Sequence, residues 1–178
     1  SIDFVHFLKP IELRLRGGNP GSLEEAHPDP AILHCLDADR STNQDRPART
    51  SATANNASII NCTIQNFSEG IRFSSSADSK AINNTILTTF NGGYGINVLS
   101  SSDRANLSDN RITNGNATGI SITSGSNVSV DCLGDGMVGG NYTDTYGIYS
   151  NQFNPTIKNC NISNFSTGIF LDWGANNG

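Results

Sequence analysis

The stretch Asn61-Cys62-Thr63-Ile64-Gln65-Asn66-Phe67-Ser68-Glu69-Gly70-Ile71 returns almost intact as Asn159-Cys160-Asn161-Ile162-Ser163-Asn164-Phe165-Ser166-Thr167-Gly168-Ile169. Two copies this alike within one chain announce an internal repeat, which governs the fold before any local propensity does. Weaker copies lie between them. The Gly-Ile pair stands at 70, 95, 119, 147 and 168, at intervals of 25, 24, 28 and 21 residues. Upstream of each pair an apolar anchor recurs (Ile64, Ile86, Ile112, Leu133, Ile162), and five residues before each anchor stands another apolar or small residue (Ile59, Ala81, Leu107, Val128, Ile157). Two residues before the anchors lie Cys62, Asn84, Asn110, Asp131 and Cys160.

After each Gly-Ile the chain alternates as a strand does. Ile71 and Phe73, Ile96 and Val98, Ile120 and Ile122, Ile148, then Ile169 and Leu171 fall on one face, expected inward. Arg72, Asn97, Ser121, Tyr149 and Phe170 fall on the other, expected outward. A short strand cannot bury its own apolar side chains. Coils of this length therefore stack about 4.8 Å apart and share a thin core. Glycine eases the corner ahead of the main strand, and stacked Asn side chains bond one another and the next backbone. The expected fold is an all-β, single-stranded parallel solenoid of about five coils.

The pattern Ile-x-Asn-(Asn/Cys)-x-Ile followed by Gly-Ile-x-(Ile/Val/Phe) resembles the parallel β-helix repeat of pectate-lyase-like proteins. The resemblance covers about residues 57–173, roughly two thirds of the chain. It implies a right-handed coil and relatives of several kinds: polysaccharide lyases, glycoside hydrolases, epimerases, phage tailspikes, adhesins and surface proteins. Fold and chemistry are separable, so function has to come from the site.

Composition agrees with a solenoid and divides the chain. Hydrophobic residues make up 35% and charged residues 15%, so Asn, Ser, Thr and Gly fill the rest. The first 50 residues hold 14 of the 27 charges, all three His and five of the six Pro. We therefore separate 1–50, an N-terminal segment of uncertain fold that is a cap or part of a neighbouring region, from the β-helix over 51–178. Ile11–Leu15 alternates and is the candidate capping strand, Ala31–Leu36 is a second strand or a turn of helix, and Ser41–Asn56 reads as a polar linker or a long excursion. The net charge of −5 argues against nucleic acid, and no apolar run is long enough for a membrane span. No signal peptide is visible, yet the fold resemblance implies an extracellular or cell-surface location. The last copy stops at Trp173 without a polar cap, which makes self-association, or continuation of the solenoid, an expectation.

The resemblance implies sites that can be sought residue by residue. Polygalacturonase-like chemistry needs clustered carboxylates. Gly134-Asp135-Gly136 is a faint echo of its motif, and Asp135 with Asp144, in one long loop, is the candidate pair. Lyase-like chemistry needs Ca²⁺ and a basic Arg. Arg72 holds that outward position, but its column (Asn97, Ser121, Tyr149, Phe170) supplies no acids for the metal. No metal or other cofactor is expected unless the chain is a lyase, and no complete catalytic motif is present. The alternative reading of the same column is a glycan-binding strip of Arg72, Asn97, Tyr149 and Phe170, with aromatic faces against sugar rings. Polysaccharide binding without catalysis leads; a lyase, a hydrolase or a fragment of one is the alternative.

Four cysteines lie at 35, 62, 132 and 160. Cys62 and Cys160 belong to the first and fifth coils, about 19 Å apart at 4.8 Å per coil, beyond disulfide reach of each other. They are expected as small buried residues in the Asn position, with Cys132 outward and Cys35 unplaced. His27, His34, Cys35, Asp37 and Asp39 match no closed zinc spacing.

Overall fold

The computed structural model describes residues 55–65, 68–88, 92–114 and 116–172, together with short strands at 14–15, 32–34, 38–39 and 49–52. It is a right-handed parallel β-solenoid with no helix among the described residues. Five successive triplets of strands run from Ser58 to Leu171. Their first strands form one parallel sheet (Ser58–Ile60, Lys80–Ile82, Asn106–Ser108, Ser129–Asp131, Thr156–Lys158). Their second strands form another (Thr63–Gln65, Thr85–Thr88, Arg111–Asn114, Gly136–Val138, Asn161–Ser163). The third and longest make the front sheet (Glu69–Ser74, Gly93–Leu99, Ala117–Ile122, Tyr146–Ser150, Thr167–Leu171).

Upstream strands extend all three sheets. Ile32–His34 pairs with Ser58–Ile60, Ala38–Asp39 with Thr63–Gln65, and Arg49–Ala52 with Glu69–Ser74. Arg14–Leu15 in turn pairs with Arg49–Ala52 and ends the front sheet. Part of the stretch read as a linker, Ser41–Asn56, is thus a strand.

The core columns follow the repeat with one slip. Ile64, Ile86, Ile112, Met137 and Ile162 are in register, as are Ile59, Ala81, Leu107, Val130 and Ile157. Leu133 was expected in the first column and Val128 in the second. Instead Leu133 is 61% exposed, while Val128 is buried one step earlier, at the corner. The reason is a longer turn in the fourth coil. Cys132–Asp135 spans four residues where the third coil needs only Asp109 and Asn110, so the anchor moves on to Met137.

The same slip misplaces Asp131 and Cys132. Asp131 ends a strand in register with Ser108 and Lys158 and pairs with the Lys158 ammonium at 3.0 Å. Cys132 points inward, 3% exposed, and forms a disulfide with Cys160 across adjacent coils. Cys62 is disulfide-bonded as well; it is buried in the Asn position as expected, at 1% exposed, while Cys160 in the same position is half-buried.

Where Asn keeps the inward corner, it forms a ladder. Asn84 Nδ2 donates to Ile59 O (3.0 Å) and to Asn110 Oδ1 (2.9 Å), while Asn84 Oδ1 accepts the Cys62 N–H (2.9 Å). Asn110 repeats the arrangement one coil on, donating to Ala81 O at 2.8 Å. The residue just before, Asn83 or Asp109, adopts a left-handed φ of 53° or 55°, which short polar side chains tolerate best. That demand accounts for much of the Asn and Asp in the chain. The Gly-Ile glycines answer a different one. A Cβ on Gly70 or Gly95 would lie 2.6 Å from the next coil's glycine carbonyl oxygen, so the column is glycine because the coils touch there.

Candidate functional site

The site is built on the outer face of the front sheet. Arg72, Asn97, Ser121, Tyr149 and Phe170 are consecutive register partners, as the alternation requires. A second outward column comes from the residue preceding each glycine: Glu69, Tyr94, Thr118, Tyr146 and Thr167. The backbone bends at the glycine, so residues three apart on either side of it meet on one face. Glu69 thereby reaches Arg72 (3.2 Å), and Tyr146 reaches Tyr149, ring centroids 5.6 Å apart.

The strip divides into a polar half and an aromatic half. In the first coils Glu69 accepts hydrogen bonds from Arg72 Nη1 and from Asn97 Nδ2 (2.9 Å). Arg72 is therefore half-buried with its charge balanced by Glu69. Asn97 points outward yet is only 3% exposed, and its buried Oδ1 has no hydrogen-bond partner among the described residues. Its Nδ2 bond to a carboxylate fixes which way the amide points, so that acceptor stays uncommitted. Ser121 is buried as well, at 1%.

In the last two coils three rings come together. Tyr149 and Phe170 stack with centroids 5.9 Å apart and planes at 17°, and Tyr146 lies 5.4 Å from Phe170. Separations of this size mark interacting aromatic rings. Phe170 remains 40% exposed. The Tyr149 hydroxyl donates to Asp172 Oδ2 at 3.4 Å. Partial burial first, and the neighbouring Asp172 carboxylate second, push that hydroxyl above its ordinary value, so it stays protonated at neutral pH.

The other candidates do not join this face. Asp135 and Asp144 were expected in one loop, but the strand Gly136–Val138 lies between them. They sit at different corners of the coil, Asp135 before that strand and Asp144 in the left-handed turn before Tyr146. Among the described residues no three His, Cys, Asp or Glu side chains converge, and no helix is long and apolar enough to cross a membrane. The side chains of His27, His34, Cys35, Asp37 and Asp39, and the Trp173 end, lie outside the described residues.

Comparison with known families agrees with this geometry. The family described as right handed beta helix region matches residues 50–178. The chain belongs to that family. No curated protein and no solved structure matches it. Right-handed β-helix membership is consistent with the pectate-lyase-like resemblance and fixes the architecture. Sequence reading missed Glu69 and Tyr146 as members of the face, while Asp172 falls in the next outward column that alternation gives. The available signal was the residue before each Gly-Ile, which holds Glu or Tyr in three coils out of five.

Proposed function

We propose that this β-helix is an extracellular or cell-surface module that binds polysaccharide along the front-sheet strip without cleaving it. The observation that carries the reading is the contiguous Tyr146–Tyr149–Phe170 surface, with Phe170 partly exposed beside the Tyr149–Asp172 pair. Such rings present flat apolar area to the C–H face of a sugar and a polar rim to its hydroxyls. Parallel coils repeat about every 4.8 Å, so an extended glycan lying across them meets one rung after another.

Two further observations support the reading. The Cys132–Cys160 disulfide and the disulfide-bonded Cys62 suit an oxidising compartment. Inverting hydrolysis places two carboxyls about 6.5–9.5 Å apart. On this face Glu69 and Asp172 stand in the first and fifth coils, about 19 Å apart at the coil spacing, and Glu69 is engaged with Arg72.

The test is retention on a polysaccharide array, read beside thermal melting. Tyr149→Ala and Phe170→Ala should weaken retention while the melting temperature falls by only a few degrees. New reducing ends or an unsaturated product, abolished by Arg72→Ala or by Asp135→Asn with Asp144→Asn, would replace binding with catalysis.

A further inference from the structure

We propose that Tyr142 walls one edge of the aromatic surface, so that the strip takes the bare main chain of a glycan and turns away chains bearing sugar branches. This deepens the glycan-binding reading and rests on it. It follows from where the fourth coil places its extra residues.

Between its second and third strands each coil turns a corner onto the front sheet. That corner takes 66–68, 89–92, 115–116 and 164–166 in four coils, two to four residues each, but 139–145, seven residues, in the fourth. Asn141, Tyr142, Thr143 and Asp144 of this longer turn are exposed, whereas Thr145 is buried at 2%. Thr145 leads directly into Tyr146, so the projecting turn stands at the edge of the three-ring surface.

The turn is pinned at both ends to the fifth coil. Gly139 N–H donates to Ser163 O (2.9 Å) and Asn141 N–H to Asn164 O (2.8 Å). At the other end Thr145 N–H donates to Ser166 Oγ (2.9 Å), and that hydroxyl donates to Thr145 O (2.7 Å). Thr145 Oγ1 in turn donates to Tyr142 O at 2.8 Å, which holds the Tyr142 backbone close to the start of the front strand. Tyr142 is nevertheless 51% exposed, and its ring contacts no other ring among the described residues. A large amphipathic ring on a fixed backbone offers contact area at little cost in conformational entropy. A sugar lying on Tyr149 and Phe170 gains a contact at that edge. A branch leaving the main chain on the same edge meets space that the turn already fills, and such clashes discriminate as well as attraction does.

Calorimetry compares cellotetraose, mannotetraose and xylotetraose with branched counterparts: xyloglucan heptasaccharide, galactosylated mannotetraose and arabinosylated xylotetraose. All six are uncharged, which keeps electrostatic differences out of the comparison. At least one linear tetraose should bind about fivefold or more tightly than its branched counterpart, the scale of one aromatic contact. Tyr142→Ala should weaken that linear ligand about fivefold and leave the branched one within about twofold, with the melting temperature holding. Tyr142→Phe should keep the preference, because the ring and not its hydroxyl makes the wall. Leu133→Ala, which removes an exposed apolar side chain at the corner opposite the front sheet, should leave both affinities unchanged. Parent affinities in Tyr142→Ala, equal weakening of linear and branched ligands, or branched binding as tight as linear in the parent would overturn the inference. Weakened binding in Phe170→Ala would in each case leave glycan binding standing. Binding of none of the six would overturn the inference, and failure of every glycan on the array would overturn both.

Discussion

Asn83 and Asn84 are neighbours of identical chemistry, and the fold predicts opposite fates for them. Asn84 is 1% exposed, and its amide is the partner of the Cys62 N–H and of the Ile59 carbonyl on the preceding coil. Asn84→Ala strands both groups in the core and removes the Asn110 rung of the ladder. A buried polar group left unsatisfied costs about 1–3 kcal/mol, and Asn110 Oδ1 keeps the Asn84 backbone N–H, so the sum comes to about 3 kcal/mol. For a chain of this size that is a melting temperature lower by about 6–12 °C. Asn83 instead occupies a left-handed turn at φ 53°, and its side chain makes an exposed bond to Asn61, while its backbone N–H, which any residue keeps, donates to Ser108 O. Asn83→Gly keeps the turn and should stay within about 0.5 kcal/mol of the parent, whereas Asn83→Ala should cost about 1 kcal/mol in backbone strain. Urea and thermal unfolding followed by circular dichroism decide the matter. A loss below about 1 kcal/mol for Asn84→Ala, or equal losses for Asn84→Ala and Asn83→Gly, would refute the division between buried ladder and turn geometry.

Three further outcomes follow from the same structure. Replacing Cys132 and Cys160 with Ser removes a link spanning 28 residues, which loop-closure entropy values at about 3.5 kcal/mol; melting with and without reductant should show the parent losing about that much more stability than the double variant, which keeps the Cys62 disulfide. Leu133 is held at φ 49° with its side chain in solvent, so Leu133→Asn should stabilise by about 1 kcal/mol, seen as a melting temperature raised by about 2–4 °C. The Ser126 backbone N–H and hydroxyl hold the Asp103 carboxyl below its ordinary value. A depressed folded value contributes stability that is full above the unfolded value near 4 and is lost as pH falls through the folded one. Asp103→Asn should therefore flatten the loss of stability below about pH 4 and leave the slope above pH 5 unchanged.

Most of the solenoid was legible because stacking makes the same demand in every coil. A column that must be apolar, glycine or Asn shows itself by recurrence even when single copies are poor. The reading failed where one coil departs from the others. In the fourth, Leu133 stands at a plausible spacing and is apolar, so it passes for the anchor. The flanking Gly134-Asp135-Gly136 is nevertheless a turn signal, and an anchor has to follow the turn, which leads to Met137. Correcting that slip also turns Cys132 inward. Its separation from Cys160 is 28 residues, the same as the Gly119–Gly147 interval, so the pair was already one coil apart in the sequence.

The site was legible in direction but not in membership or exposure. Pleat alternation assigns Arg72, Asn97, Tyr149 and Phe170 to the outer face, and register confirms it. Alternation alone would send the residue three positions earlier inward. The bend at each Gly-Ile reverses that parity and brings Glu69 and Tyr146 out. Those two residues change the chemistry of the face. Glu69 converts Arg72 from an open cation into half of an ion pair and occupies the donor of Asn97. Tyr146 converts a stacked pair into a three-ring surface. Exposure then follows from size. Asn97 and Ser121 are short side chains between larger neighbours, and they are buried although they point toward solvent. On a solenoid face the contact surface is therefore set by which columns carry long side chains, and here those are the residues on both sides of the glycine.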